Sequence, residues 1–480
     1  MKGLHIFFLI GLFVFLNGCA QSDFEKNAEQ LNQEAWKRVD TILARIKAPE
    51  FPDKVFNVKK YISKKNGRKA FVNAVNKAIK DCNESGGGKV LIPGGEYISN
   101  GPIHLLSNVN LHLAEDAVLK FGVDPVDYTP LVLVRWEGTL CYNYSPLIYA
   151  HKQKNIAVTG KGTIDGQTQL GWYKWKRDND GKNQKEDKKV LRQFGNDLTP
   201  VETRVFGNGF LDLDDDGKDD GHGDGKDHYF RPTSIEFIEC ENVLFEDFTI
   251  LNSPFWNVHP VFCKNVIVRG LNIQKGETND DGIDPDSCTD VLIENCVINT
   301  NDDAIAIKAG RDQDAWNRLP AENIIIRNNN LTSAVNGFCI GSEMSGGVKN
   351  IFVYDNDIPK VIRAINFKCN LDRGGQVENI YIKNIRVGTC EGELFIFRMD
   401  YHGYRGNNFP TKFNDFFVTD VLCENIKGTA FKIVGVESEH IKRVYLKNFE
   451  IKNTTNESEI KFADNVITKN IIIKGKEWLP

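Results

Sequence analysis

The side chains best able to move protons are concentrated between Glu277 and Asp314, in Asn279-Asp280-Asp281-Gly282-Ile283-Asp284-Pro285 and Asn301-Asp302-Asp303-Ala304-Ile305-Ala306-Ile307-Lys308. Asp281 and Asp302 stand 21 residues apart. If that spacing is one structural repeat, several carboxyls meet within a few ångströms on one face. Crowding of this kind keeps one carboxyl protonated while its neighbours stay ionised. A proton donor beside carboxylates that activate water is what cleavage of a glycosidic bond requires. Consecutive aspartates in a strand point to opposite faces, so both serve one site only at a turn or bulge. A solvated acidic edge or a metal site is the plainer alternative. The apolar flanks on both sides favour carboxylates at the mouth of a packed column.

Such a site needs elements that repeat, and the chain supplies them. One phrase recurs from residue 155 onward: Asn or Asp, then a branched apolar run, as in Asn155-Ile156-Ala157-Val158, Asn242-Val243-Leu244-Phe245, Asn265-Val266-Ile267-Val268, Asp290-Val291-Leu292-Ile293 and Asn323-Ile324-Ile325-Ile326. Between Asn242 and Asp415 the intervals are 23, 25, 33, 27, 29 and 36 residues. Short strands at a period of about 25 with loop insertions predict a single-stranded, right-handed parallel β-helix, all-β in class. Stacked coils pair every backbone group and bury the branched side chains in one column. An all-β sandwich would instead show tight hairpin turns between adjacent strands. Asn at the same corner of successive coils can form a hydrogen-bonded ladder. The helical pattern from Phe71 to Cys82, followed by a glycine-rich turn and a first strand, reads as the cap of the column.

With 60 Lys+Arg against 65 Asp+Glu, a net charge of −5 and 47 Asn, the composition excludes a phosphate-neutralising nucleic-acid binder and a disordered chain. Lys2 and the apolar run Ile6 to Leu16 make residues 1–18 a signal peptide, too short to span a bilayer permanently. Leu16-Asn17-Gly18-Cys19 is similar to a bacterial lipobox, so Cys19 is the expected lipidation site. The expected protein is a monomer exported and anchored in the bacterial envelope through that lipid alone, at the outer membrane. Residues 19–50 are expected as anchor and helical linker, amphipathic from Ser22 to about Ile46, and 51–480 as the β-helix. The other ten cysteines stand singly, several at apolar strand positions, and read as buried free thiols. Asp212, Asp214, Asp216, Gly217 and Asp220 match the opening of a calcium loop, but Gly223 stands where the closing Glu would be. A solvated acidic loop is the other reading.

The two acidic segments resemble the signatures of glycoside hydrolase family 28, the polygalacturonases and their relatives. The likeness continues through Arg135-Trp136-Glu137-Gly138, Gly160-Lys161-Gly162-Thr163-Ile164-Asp165-Gly166, Asn252-Ser253-Pro254-Phe255-Trp256-Asn257-Val258-His259-Pro260 and Ile340-Gly341-Ser342-Glu343. In style it is nearest to bacterial exo-acting members. The resemblance implies inverting hydrolysis of α-linked galacturonate in pectic oligosaccharides or polysaccharides, with no required cofactor. Carried over residue by residue, it makes Asp302 the general acid and Asp281 and Asp303 the holders of the nucleophilic water. Lys368, Asn366, His259, Arg311, Asn279 and Trp136 become candidate substrate contacts, with Glu343, Trp172 and Trp175 as further candidates. Two positions depart from the family. Val335 is aligned with the His of its Gly-His-Gly segment, and Asn366-Phe367-Lys368 replaces Arg-Ile-Lys. Losing a guanidinium removes the group best matched to a carboxylate, so the expected sugar at that subsite is galacturonate held differently, as in rhamnogalacturonan, or a less charged sugar. The rival readings are a β-helix pectate lyase, which the paired aspartates argue against, and a non-catalytic glycan-binding surface lipoprotein.

Overall fold

The computed structural model describes residues 24–178, 181–207, 210–214, 216–221 and 223–479, with the side chain of Lys64 left aside. The expected signal peptide, residues 1–18, and Cys19 lie outside the described residues. The chain winds as a parallel β-helix. Each central coil contributes three short strands, such as Thr289–Glu294, Val297–Thr300 and Ile305–Ile307, and each pairs in parallel with its counterparts one coil before and after. Register is kept along the first face, where Ile156, Val243, Val266, Val291, Ile324, Ile351, Ile380, Phe416 and Val444 stack in one inward row. Each fully buried branched side chain in that row is worth about 1.5–3 kcal/mol of apolar transfer.

The repeated Asn has a conformational reason. Asn155, Asn242, Asn265, Asp290, Asn323, Asn350 and Asn379 all adopt positive φ between 53° and 58°. This left-handed corner is one that Asn and Asp tolerate better than branched residues. Their amides also join coil to coil: Asn242 donates to Asn155 at 2.8 Å and Asn265 to Asn242 at 2.8 Å. The expected ladder is therefore real, and it supplies the corner that lets the next strand start in register. The helix Ala70–Glu84 caps the first coils with Phe71, Val75, Ile79 and Cys82 buried. At the other end the short antiparallel strand Lys476–Glu477 and Trp478, stacked 5.2 Å from Phe431, close the column.

The segment expected as a linker is helical, as its pattern predicted, but it does not lead away from the column. Residues 24–36 and Arg38–Arg45 lie against the outward row Leu244, Ile267, Leu292, Ile325, Phe352, Tyr381 and Phe417, burying Phe24, Val39 and Ile42 there. Arg45 pairs with Asp290 at 2.6 Å, and the Lys47 backbone exchanges two 2.9 Å hydrogen bonds with Asn265. All ten described cysteines are buried free thiols.

Candidate active site

The site is built on the third face of the column. Ile283 bridges both Val258 and Ile305, and Ile305 pairs with Phe338. Here the coil is 22 residues long, from Ile283 to Ile305, so Asp281 stacks on Asp303 and Asp302 stands at the adjoining turn. One carboxyl oxygen from each of Asp281, Asp302 and Asp303 lies within 4.8 Å of the others. Asp280 takes the opposite direction to Asp281, as alternation requires. It is buried and accepts from the backbone N–H of Gly276 (2.8 Å), Asn301 (2.8 Å) and Asp302 (2.9 Å), which locks the two turns together. Gly282 leaves no room for a side chain, since a Cβ there would strike the Ala304 carbonyl and the Ile298 side chain at 2.8 Å.

Two ammonium groups divide the three carboxyls. Lys368 Nζ donates to Asp303 Oδ2 at 2.6 Å, and Lys308 Nζ donates to Asp281 Oδ2 at 3.1 Å. Cys339 Sγ donates to Asp303 Oδ2 at 3.0 Å, and the Asn336 amide donates to Asp303 Oδ1. Burial alone would raise Asp303, but Lys368 and Lys308 outweigh it and hold this carboxyl below its ordinary range. Asp302 has no cation of its own. Burial, and then the Asp303 charge, push it up to about 6. Burial also raises Asp281, with Lys308 opposing and Asp302 and Asp303 adding to the rise. Asp281 and Asp302 therefore titrate as a pair. Lys308 also faces the buried Asp284 at 3.9 Å and Glu343 at 3.7 Å, and among the described residues Asp302 is the one of the three carboxyls that no lysine contacts. Asn279 donates to Asp302 Oδ2 at 3.3 Å and is itself oriented by Arg231, which donates to its Oδ1 at 2.8 Å.

A cleft of about 150 Å³ opens over this cluster. Its lining includes Glu137, Lys176, Lys188, Arg192, Trp256, Asn279, Lys308, Arg311, Ser342, Glu343, Lys368, Tyr401 and His402 beside the three aspartates. Arg311 Nη2 meets Glu343 Oε1 at 2.5 Å, and its Nε donates to the Glu137 carbonyl at 3.0 Å. Burial opposes, but Arg311 and Lys308 hold Glu343 well below the usual carboxylate range. Gly138 makes the approach possible: at φ +83° it passes so close that a Cβ would lie 2.7 Å from Glu343 and 3.0 Å from Arg311.

Of the residues singled out in the sequence, Asp281, Asp302, Asp303, Lys368, Arg311, Asn279 and Glu343 come together in the cleft. Five candidates do not. His259 is fully buried behind Trp256, with Asp286 Oδ2 at 3.4 Å and Glu236 Oε2 at 3.6 Å, and these two acids raise it against the opposing effect of burial. Trp136 is a packing residue, stacked 4.0 Å from Phe230 and 5.1 Å from Phe255. Asn366 faces outward but lies beneath the cleft, donating to Asn336 at 2.9 Å. The side chain at that turn which reaches Asp303 is Asn336, not its half-buried neighbour Val335. Trp172 and Trp175 do not wall the cleft: they meet edge to face at 4.9 Å and root the insertion in the core.

Lys308 was not singled out, although the alternation Ala304-Ile305-Ala306-Ile307-Lys308 puts it on the outward side and so could have found it. Lys176, Lys188 and Arg192 come from the helices Lys174–Arg177 and Lys185–Asn196 of an insertion, and Tyr401 and His402 from a loop; that these segments fold back onto the third face carries no periodic signal. In the acidic loop, carboxyl oxygens of Asp212, Asp214 and Asp216 lie within 4.8 Å of one another, while Asp220 accepts from the Leu213 N–H at 2.5 Å. Lys218 already pairs with Asp216 at 2.5 Å, and this loop is not among the cleft residues.

Comparison with known proteins bears on this geometry directly. Residues 199–470 match the family described as Glycosyl hydrolases family 28. The chain is 28% identical to a "Probable polygalacturonase" of Vitis vinifera over 397 residues, 80% of this chain and 70% of that one. It is 25% identical to the "Exo-poly-alpha-D-galacturonosidase" of Dickeya chrysanthemi, covering 81% of this chain and 65% of that one. Among solved structures it resembles a hyperthermoactive exopolygalacturonase from Thermotoga maritima, with a TM-score of 0.84 and 35% identity over 92% of this chain and 97% of that chain. A match across more than half of the sequence, carried by a column with its acids at one mouth, leads to one conclusion: this chain belongs to glycosyl hydrolases family 28 and is a glycosidase of the polygalacturonase family.

Proposed function

We propose that this protein is an exo-acting pectic hydrolase that removes galacturonate from the end of α-linked galacturonide chains. The observation that carries the reading is the charge of the cleft. Six cations line it (Lys176, Lys188, Arg192, Lys308, Arg311, Lys368) against five carboxyls (Glu137, Asp281, Asp302, Asp303, Glu343). With Asp302 holding a proton the excess is two positive charges, which suits a polyanion. Asn366 lies outside the cleft lining, so the absence of a guanidinium at that position leaves this cationic surface untouched. The exo reading rests on the insertion that supplies Lys176, Lys188 and Arg192 and on the loop that supplies Tyr401 and His402. Both fold over a chamber small enough for a chain end.

In the proposed mechanism Asp302 gives its proton to the leaving glycosidic oxygen. A water held between Asp281 and Asp303 loses its proton to that pair as its oxygen attacks the anomeric carbon, which inverts the configuration. The close packing of the carboxyls also suits a double displacement, in which a carboxylate spaced at about 5–5.5 Å attacks carbon itself. Engagement of both Asp303 oxygens by Lys368, Cys339 and Asn336, and of Asp281 by Lys308, favours holding water instead.

Proton NMR of the first product from a galacturonide trimer tests both claims: release of monomer with inverted configuration is expected. Retained configuration would establish the double displacement, internal cleavage would refute exo action, and turnover restricted to rhamnogalacturonan oligosaccharides would refute the substrate. The same reading places the protein outside the inner membrane on a lipid at Cys19. Metabolic labelling with a palmitate analogue should mark the native chain and not Cys19→Ala.

A further inference from the structure

Five of the six cleft cations already have a carboxylate partner in the protein, two of them sharing one. Lys308 and Lys368 are held by Asp281 and Asp303 at 3.1 and 2.6 Å, Arg311 by Glu343 at 2.5 Å, and Lys188 and Arg192 both by Glu137 at 2.9 and 3.1 Å. Lys176 differs. Among the described residues no carboxylate lies within 4 Å of its ammonium, although it is half-buried and lines the same cleft as Asp302. It sits on the helical turn Lys174–Arg177, whose base is fixed by Trp172, 5.3 Å from Tyr128, and by Trp175, 5.6 Å from Tyr229. Burial and then the nearby Lys188 charge lower its proton affinity, and Glu137 and Asp302 oppose them only in part. A buried charge is costly unless it is paired, and a half-buried one bears part of that cost.

We infer that Lys176 receives the carboxylate of the sugar next to the scissile bond, and so is the residue by which this chain selects a galacturonide terminus over a neutral one. The inference rests on the galacturonide reading above and names the group that does the recognising. A lysine offers a compact point charge without the planar fork of a guanidinium, which also suits an approach from the wall of the chamber rather than from its floor.

The test compares wild type with Lys176→Met, Lys176→Gln and Lys176→Arg on two substrates, a galacturonide trimer and the same trimer with methyl-esterified carboxyls. Removing the charge is expected to raise KM for the acid trimer about tenfold or more. kcat should change little, the preference for acid over ester should collapse, and Lys176→Arg should recover most of it. A merely structural role would weaken both substrates alike, so an unchanged acid-to-ester ratio overturns the inference while galacturonide hydrolysis stands. If wild type fails to cleave either trimer, the substrate reading itself is wrong and this inference falls with it. Thermal melting of both uncharged variants separates loss of fold from loss of recognition.

Discussion

Asp302 is suited to the proposed role of acid by what surrounds it, not by contacts of its own. Its two neighbours each contact a lysine, and among the described residues Asp302 contacts none. Its raised value of about 6 makes the pH dependence explicit. In the proposed mechanism the protonated form acts, so kcat is expected to fall as pH rises through about 6, and Asp302→Asn should lower kcat by about 10²–10⁴-fold below that pH. The stability sign follows from linkage: a carboxyl whose folded value is raised contributes stability that is present in acid and lost as pH climbs through that value. Urea unfolding of wild type should therefore lose ground to Asp302→Asn between about pH 4 and 7; parallel curves would show that Asp302 is not the proton holder. Lys368→Met makes the complementary case. It breaks a pair whose side chains are 5% and 1% exposed, at a cost of about 3–5 kcal/mol in urea unfolding. Without that cation Asp303 rises, so the acid limb of the pH–rate profile should move to higher pH.

At the scale of elements, strand periodicity foretold much and loop return very little. The branched runs after each Asn predicted the strands, and the Asn residues themselves predicted the corners, because both follow from local conformational preference. The pairing of Asp281 with Asp303 was nearly visible, one residue off, since a 21-residue count and a 22-residue coil differ only by the turn. The mistaken candidates share one cause. His259 and Trp136 have the chemistry of a sugar contact, yet whether they face a cleft or a core depends on neighbours distant in sequence, Glu236 and Asp286 for one and Phe230 and Phe255 for the other. The N-terminal helix was legible as a helix but not as a cover, because its partner is an outward row spread over many coils. That row makes a prediction. Ile42 is buried against it on a face of the column other than the catalytic one, so Ile42→Asp should destabilise the fold by about 3 kcal/mol or more in urea. kcat measured well below the transition should stay unchanged; a matching loss of kcat would mean that the cover and the cleft are coupled.

For the whole molecule, the direction of the cover decides how the proposed anchor would orient the enzyme. Phe24 packs on Phe417 at 6.0 Å, Glu29 pairs with Lys447 at 2.5 Å, Trp36 meets Phe352 at 5.4 Å, Arg45 reaches Asp290, and Lys47 reaches Asn265. The helix thus runs antiparallel to the stacking of the coils, and the chain reaches Phe24 beside the C-terminal end of the column. The five steps from Cys19 to Phe24 span at most about 18 Å. The proposed lipid on Cys19 would therefore hold the last coils near the bilayer, with the earlier coils farther along the column. Because every described cysteine is buried, a single exposed one can be labelled selectively. Fluorophores on Glu457→Cys, in the strand Thr454–Lys461, and on Glu115→Cys, between the first coils, report the two ends. In vesicles carrying nitroxide lipids the lipidated protein should show strong quenching at 457 and weak quenching at 115, and Cys19→Ala should abolish both. Equal quenching at the two ends would mean that the column lies flat on the surface, and stronger quenching at 115 would reverse the orientation that the helix dictates.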